Sequence, residues 1–287
     1  HPQGQAVNAE ALVQRQTFAA TTAKPWRGSV ARPLAGLKVL DLTRVLAGPV
    51  ASRFLAGLGA DVLRIDSPTW DEPGVVPEMT LGKRCARLDL KTQDGRQLFE
   101  ALLKDADLLF HGYRADALER LGYSADSLQR LAPGLIDVSL NAYGWSGPWR
   151  NRRGFDSLVQ MSCGIAEAGM AWQQADKPLP LPVQALDHGT GYLMAASALQ
   201  ALRERLQSGR GGSVRLSLAR TAKLLMEAGQ VPQEPALRPE EPGDLGLLVE
   251  HTHWGPAHRL LPPVSINGTP LQWDRPAVEL GSHRPQW

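Results

Sequence analysis

An aspartate near the start of a helical stretch is the residue in this sequence best placed for covalent chemistry. Asp187 lies in the run LDHGTG at residues 186–191, directly before a segment with helical apolar spacing. A carboxylate there commonly caps the helix, while the same helix-end amides favour its ionised form and stabilise the oxyanion of an attacked thioester. Two nearby glycines leave room for a substrate. The pattern alone therefore leaves an N-cap and a nucleophile both open.

A second candidate is a dinucleotide site at the first strand-to-helix turn. Asp66 ends the second predicted strand roughly 20 residues after that turn, where a ribose-binding acid would lie. The turn at residues 45–49 reads VLAGP, however, and lacks the Gly-x-Gly-x-x-Gly fingerprint. Pro49 also removes an amide that would face a pyrophosphate. The sequence therefore disfavours a nicotinamide cofactor.

The histidines and cysteines do not form a recognisable metal site. Only His251 and His253 of the candidate ligands lie close together in sequence, and no Cys or Asp cluster accompanies them. The two cysteines, Cys85 and Cys163, are too far apart to indicate a disulfide framework. We therefore expect no metal and a reducing, cytoplasmic setting. Cys85 follows two basic residues, which would lower the pKa of its thiol if the thiol were exposed.

The charge and hydropathy of the chain argue against two classes of partner. Its 287 residues carry 31 basic and 29 acidic side chains, a formal net charge of +2, which gives no large field to attract a polyanion. No apolar run approaches the roughly 18 residues needed to span a bilayer. Residues 1–20 also lack a signal-peptide pattern. We expect neither nucleic acid nor membrane as a partner.

Short apolar runs alternate with helical patterns from Leu37 onwards, which is typical of a parallel α/β fold. Pro49 and Thr92 mark helix starts, and glycines within residues 209–212 mark the end of a long helix. We predict strands over residues 39–43, 62–66, 108–110, 135–140 and 214–218. We predict helices from residue 49, from residue 92, over residues 115–121, around residue 128 and over residues 188–206. The predicted fold class is α/β, with a Rossmann-like large domain built on a parallel sheet.

The two ends of the chain differ from this central region. Residues 1–33 are mixed and weakly periodic, which indicates an N-terminal arm or linker. Residues 34–226 make up the predicted Rossmann-like domain. In residues 227–287 the prolines are too dense for a continuous helix or a central strand, which predicts an irregular, Pro-rich C-terminal tail along a surface.

Several segments in fixed order resemble the class III CoA-transferases, the family of formyl-CoA transferase and carnitine CoA-transferase. Any one segment is weak, but the ordered set is specific and covers residues 34–226. The segments are LKVLDLTRVLAGP (37–49), LGADVLRID (58–66), GKR (82–84), LDLK (88–91), LERLG (118–122), NAYGWSGP (141–148), FD (155–156), DHGTG (187–191) and GRG (209–211).

The resemblance implies a CoA-binding domain within an interlocked homodimer, or with a lid supplied by a second chain. It implies that Asp187 attacks an acyl-CoA thioester and becomes an aspartyl-CoA thioester, so that CoA moves from an acyl-CoA to a carboxylic acid. Coenzyme A and acyl-CoA would be substrates, and no metal would take part. The positions that the resemblance places at the CoA site are Val45, Ala47, Leu88, Lys91, Tyr113 and Arg120.

Three departures from the family pattern motivate other hypotheses. The turn at residues 112–115 reads GYRA where the family has an Asn-Phe-Arg-Pro-like turn. Ser67 replaces a basic residue that some members use near the adenine of CoA. A Pro-rich tail stands where family members have a second, smaller domain. These differences motivate a non-catalytic CoA-binding or assembly subunit as the alternative.

The related alpha-methylacyl-CoA racemases are a further alternative. They use a His beside an Asp as an acid-base pair, and the matching pair here is Phe155 and Asp156. Phenylalanine cannot transfer a proton, so one of the two required groups is missing. The resemblance therefore favours a transferase over a racemase.

Overall fold

The sheet that organises the chain is a mostly parallel one, as the sequence predicts. The computed structural model describes residues 1–20, 26, 28–113, 116–229 and 238–287. Within them the central sheet has the order β1-β7-β6-β5-β2-β3-β4, and all its neighbouring pairs are parallel except β1 with β7. The strands are β1 (Gln14–Ala20), β2 (Lys38–Leu42), β3 (Asp61–Asp66), β4 (Lys83–Arg87), β5 (Leu108–His111), β6 (Ile136–Asn141) and β7 (Arg210–Ser217).

Helices cover both faces of this sheet, which confirms the α/β prediction. They are α1 (Pro2–Ala9), α2 (Ala47–Gly57), α3 (Val76–Met79), α4 (Gln93–Asp105), α5 (Ala117–Arg120), α6 (Ala125–Leu131), α7 (Asp156–Ser162), α8 (Ile165–Gln173), α9 (Ala185–Ser208) and α10 (Leu218–Ala228). Alternate residues of β2 pack on opposite faces: Val39 lies in one core cluster with α2 and α9, and Leu40 in a second with α4 and α6. Strands buried on both faces explain the near-continuous apolar runs.

Residues 1–20 pack on the rest of the protein, where we predict an arm or linker over residues 1–33; residues 21–25 and 27 of that range lie outside the described residues. Strand β1 pairs with β7 in antiparallel register, with Gln14 opposite Arg215. The carboxylate of Glu10 accepts hydrogen bonds from the amides of Trp145 and Ser146. Strand β1 lies at the edge of the sheet and its first four residues are polar, so it lacks the apolar run of a buried strand.

The C-terminal segment contains more regular structure than its prolines indicate. Residues 230–237 lie outside the described part, and a short 3-10 helix, Pro242–Asp244, precedes a hairpin of β8 (Leu245–Thr252) and β9 (Gly255–Leu260). From residue 261 onwards the chain is irregular, as predicted. It runs beside the edge strand β4, where the amide of His283 donates to the carbonyl of Cys85 at 2.8 Å. This segment therefore covers an otherwise unpaired sheet edge.

Candidate active site

Asp187 lies in the first turn of α9 and is not its N-cap. The helix begins at Ala185, and the side chain of the N-cap residue Gln184 makes no capping hydrogen bond. Asp187 is 6% exposed. The expected helix start near residue 188 is therefore three residues late, and of the two roles left open for Asp187 the N-cap is excluded. The carboxylate remains at the positive end of the helix dipole, where an anion is stabilised.

Asp156 supplies the capping contact that Gln184 does not make. It is the first residue of α7, is 1% exposed, and its Oδ2 accepts a hydrogen bond from the backbone amide of Asp187 at 2.9 Å. Its Oδ1 accepts from the side-chain amide of Gln160. Gln160 also accepts a hydrogen bond from the amide of Leu181 at 2.8 Å, in the segment that leads into α9. Helix α7 thereby fixes the position of Asp187.

Two effects raise the pKa of Asp187 to about 7. Burial is the larger, because it disfavours the ionised carboxylate, and the negative charge of Asp156 adds to it. Near neutral pH the side chain of Asp187 is therefore partly protonated and partly ionised. Partial burial of the imidazole and the Arg53 charge lower the pKa of the neighbouring His188.

The glycines after Asp187 serve helix packing more than substrate access. A Cβ on Gly191 would lie 2.5 Å from the carbonyl oxygen of Ala47 and 2.9 Å from the Cβ of Val50. A Cβ on Gly189 would lie 3.4 Å from the Cγ2 of Thr221. The expectation that both glycines leave room for a substrate is therefore wrong at Gly191, where α2 fills the space. This close approach brings Ala47 against the helix that carries Asp187.

The turn between β2 and α2 has an unusual backbone conformation. Val45 has a φ of 64°, a left-handed conformation that costs a β-branched residue about 1–2 kcal/mol. The backbone amide of Val45 donates to Glu72 at 2.9 Å, and the indole N–H of Trp70 donates to the same carboxylate oxygen at 3.0 Å. Arg64 also binds Glu72 through its other oxygen. Glu72 therefore holds this turn in place.

The other predicted CoA-site residues divide into two groups. Leu88 is buried, and Tyr113 is partly buried against the same core cluster. Burial also raises the pKa of the Tyr113 phenol. Lys91 is exposed after β4, and Arg120 is exposed in α5, where it forms a salt bridge with Asp116. The structure thus groups Leu88 with Tyr113, and leaves the two cations on the surface.

A buried ionic network lies next to the turn between β2 and α2. The ammonium of Lys83 donates to Asp41 at 3.0 Å, to Ser52 at 2.7 Å and to the carbonyl of Pro49 at 3.1 Å. Both charged side chains are fully buried. Although burial raises the pKa of Asp41, the Lys83 and Arg64 charges and two hydroxyl hydrogen bonds hold it below its ordinary value. The network joins β2, β4 and the start of α2.

The thiols and histidines do not add reactive groups to this site. Cys85 is fully buried, so the exposure on which a lowered pKa depended is not present, and burial raises the pKa of its thiol to about 12. In the described part of the chain, no group of three or more His, Cys, Asp or Glu side chains could hold a metal ion. Among the described helices, none has the length and apolar character needed to cross a membrane.

A cavity of about 490 Å³ lies between α1, α7 and α10, away from Asp187. Tyr143, Trp149, Cys163 and Lys223 are among the residues that line it, and Asp187 is not. The Lys223 ammonium already pairs with Glu227 at 3.1 Å. The cavity lacks a nucleophile beside a perturbed carboxylate, so the geometry around Asp187 defines the candidate site.

The sequence pattern of CoA-transferase family III matches residues 34–254. The chain belongs to CoA-transferase family III. Among curated relatives, it is 35% identical over 193 residues to the acetyl-coenzyme A transferase nodX of Hypoxylon pulicicidum, covering 66% of this chain and 32% of that protein. It is 30% identical over 200 residues to the formyl-CoA:oxalate CoA-transferase of Escherichia coli, covering 65% and 47%.

Solved structures of this family have the same fold. The crystal structure of Rv3272 from Mycobacterium tuberculosis has a TM-score of 0.62 at 29% identity, covering 72% of this chain and 63% of that one. A CAIB/BAIF family protein from Brucella suis has a TM-score of 0.59 at 26% identity, covering 79% and 65%. The chain spans about a third to a half of the length of the curated relatives.

Some residues around the candidate site could be predicted from the sequence and others could not. Asp156 stood out only as the partner of Phe155, and its contact with Asp187 was not anticipated. Glu72 and Trp70 follow β3 in an irregular segment, where no local pattern marks their contact with the turn after β2. The Asp in the apolar run VLDL, residues 39–42, was the one available signal of a buried ionic network.

Proposed function

We propose that this chain carries the transfer site of a class III CoA-transferase, which moves CoA between an acyl-CoA and a carboxylic acid with Asp187 as nucleophile. The observation that carries the proposal is a buried carboxylate with a pKa of about 7 in the first turn of α9, in a chain of this family. A carboxylate is a nucleophile only when ionised, and a raised pKa makes its oxygen more basic and more reactive.

The reaction proceeds through two exchanges at the carboxyl group of Asp187. An oxygen of the carboxylate attacks the thioester carbonyl, the carbon–sulfur bond breaks, and CoA leaves as a thiolate from a mixed anhydride. The thiolate then attacks the aspartyl carbonyl, which releases the donor acid as a carboxylate and leaves an aspartyl-CoA thioester. An acceptor carboxylate reverses these steps, so no proton, oxidant or reductant is consumed.

The surroundings of Asp187 suit these steps. The positive end of the α9 dipole stabilises negative charge that develops on the attacked carbonyl. The side chain is 6% exposed, so few water molecules can compete for an anhydride. Asp156 fixes the backbone at Asp187 through the 2.9 Å contact with its amide, and this limits the directions from which the carboxylate can attack.

We assign Val45, Ala47, Leu88, Lys91, Tyr113 and Arg120 to the CoA site. The start of α2 packs directly against α9, so Val45 and Ala47 lie beside the helix of the nucleophile. Leu88 and Tyr113 offer an apolar surface. The exposed cations Lys91 and Arg120 suit phosphate groups, since guanidinium and ammonium groups are the usual charge partners of a diphosphate.

The racemase alternative is weaker, because Phe155 offers no proton-transfer group beside Asp156. The non-catalytic alternative differs in one respect: such a subunit would bind CoA and would never form a bond to Asp187.

We further propose a cytoplasmic homodimer, or a complex with a second chain that covers the site. Exposed Leu158, Met161 and Trp172 on α7 and α8 support such an interface, since large apolar side chains in one region mark a contact surface.

The test is transfer of CoA from labelled acyl-CoA donors to a panel of carboxylic acids. We expect Asp187→Asn to lower the rate by at least about 100-fold, because the amide cannot form the intermediate. Asp176→Asn is the matched control at an exposed aspartate, and it retains the rate. Transfer that persists in Asp187→Asn would refute the assignment. CoA binding without transfer by the unmodified protein would instead support the non-catalytic alternative.

A further inference from the structure

An arginine with two aromatic rings against it lies where the strand order of the sheet reverses. Strand β2 lies between β3 and β5, and the chain crosses from one side of β2 to the other after β4. Arg44 follows β2, Trp70 follows β3 and Tyr113 follows β5. The carboxyl ends of parallel strands meet at one edge, and the crevice at such a reversal is where open α/β sheets bind ligands.

The guanidinium of Arg44 is oriented by these rings. Its central carbon lies 4.2 Å from the ring centre of Trp70 and 5.5 Å from that of Tyr113. Contacts of this kind hold a planar cation in place. The guanidinium also donates a hydrogen bond to the Tyr113 phenol, which leaves its other N–H groups as donors. The Nε atom of Arg44 is buried and has no hydrogen-bond partner among the described residues.

Two carboxylates at and after the end of β3, Asp66 and Glu72, are already paired with another arginine. Arg64 is fully buried, and it binds Asp66 at 2.8 Å and also binds Glu72. None of the carboxylates in the described part of the chain forms a salt bridge with Arg44. Arg44 is therefore a half-buried cation without a carboxylate partner among the described residues. It lies at the edge of the sheet where open α/β folds bind ligands.

Glu72 holds in place both Trp70 and the backbone that follows Arg44. One of its oxygens accepts the indole N–H of Trp70 at 3.0 Å and the amide of Val45 at 2.9 Å. The first contact sets the plane of the ring under Arg44, and the second sets the backbone that follows Arg44. Since Arg64 neutralises Glu72, this carboxylate does not compete with a ligand for Arg44.

We propose that Arg44 binds a phosphate group in the nucleotide half of CoA, with Trp70 and Glu72 as positioning residues. The proposal rests on the proposed function and names a residue beyond the assigned CoA site. A phosphate suits a fixed guanidinium because two parallel N–H groups match two of its oxygens. The diphosphate and the 3′-phosphate of CoA are both sources of this chemistry.

The test is calorimetric binding of CoA, dephospho-CoA and pantetheine to the protein and to Arg44→Gln. We expect Arg44→Gln to weaken CoA binding by about 10- to 100-fold, which is typical for loss of a charged hydrogen bond, and to leave pantetheine binding unchanged. An equal loss with dephospho-CoA identifies the diphosphate, and no loss with dephospho-CoA identifies the 3′-phosphate. Arg215→Gln is the matched control, because this exposed arginine also lies over a ring, 4.9 Å from that of Trp145.

Two variants at Trp70 test the positioning role. Trp70→Phe keeps a ring under Arg44 and should retain most of the CoA affinity, whereas Trp70→Leu should lose it selectively and bind pantetheine normally. Unchanged CoA affinity in Arg44→Gln, or equal losses for CoA and pantetheine, would overturn this proposal and leave the transferase function standing. Absence of CoA binding by the unmodified protein would overturn the transferase function as well.

Discussion

Replacing Asp156 with asparagine should lower the pKa of Asp187. The substitution keeps the size of the side chain and an oxygen that can accept the Asp187 amide, now at 2.9 Å from Asp156, but removes a negative charge. Burial is the larger cause of the raised pKa and Asp156 the second. The pKa should therefore fall from about 7 but stay above the ordinary value of 3.8, because burial remains.

The magnitude follows from the ionised fraction of Asp187. With a pKa of about 7, about one-tenth of the carboxyl groups are ionised at pH 6. If the pKa falls by one unit, about half are ionised, so a rate limited by ionisation rises about fivefold at pH 6 and changes little at pH 9.

The assay is the rate of acyl-CoA consumption in a single turnover, measured from pH 5 to pH 9. We expect the acidic midpoint of the profile to move to lower pH in Asp156→Asn and to stay in place in the exposed control Asp176→Asn. Thermal unfolding of each variant shows whether α9 remains folded without the charge. A midpoint that stays in place or moves to higher pH in a folded Asp156→Asn protein would refute this reasoning.

Three further predictions concern stability and reactivity. Asp187→Asn should raise the free energy of unfolding at pH 8 by up to about 4 kcal/mol, because the protein with a carboxyl pKa raised from 3.8 to about 7 loses stability as pH rises between those values. Denaturant melts at pH 4 and pH 8 should show the gain only at the higher pH. Lys83→Met should cost about 3–5 kcal/mol in urea unfolding, because it leaves the buried Asp41 unpaired, and adding Asp41→Asn should recover part of this; an unchanged midpoint would contradict it. A thiol reagent should label the half-buried Cys163 in the native protein and Cys85 only after unfolding, and mapping both peptides checks this.

Local patterns predicted the sheet but not its edges. Strand β2 is buried on both faces, so its apolar run was readable without any tertiary information. Strand β1 begins with four polar residues and is stabilised by pairing with β7, about 200 residues away in sequence, as between Gln14 and Arg215. Because the partner strand is so distant, the sequence of β1 shows no hydrophobic periodicity that would predict the pairing.

The candidate site shows the same limit. The position of Asp187 near a helix start could be predicted from its neighbours, but the true start could not, because the capping group is Asp156, 31 residues earlier. The raised pKa of Asp187 depends on burial and on that same residue. The stack of Arg44 joins loops from three strands, so only the strand order brings its members together.

The most direct test of the central claim is intact-protein mass spectrometry after incubation with a panel of acyl-CoA donors, followed by hydroxylamine trapping and peptide mapping. Hydroxylamine converts an aspartyl anhydride or thioester to a stable hydroxamate, and we expect this hydroxamate on Asp187 and its absence in Asp187→Asn. A mark on another residue, or none with any donor while CoA binds, would contradict Asp187 as the nucleophile.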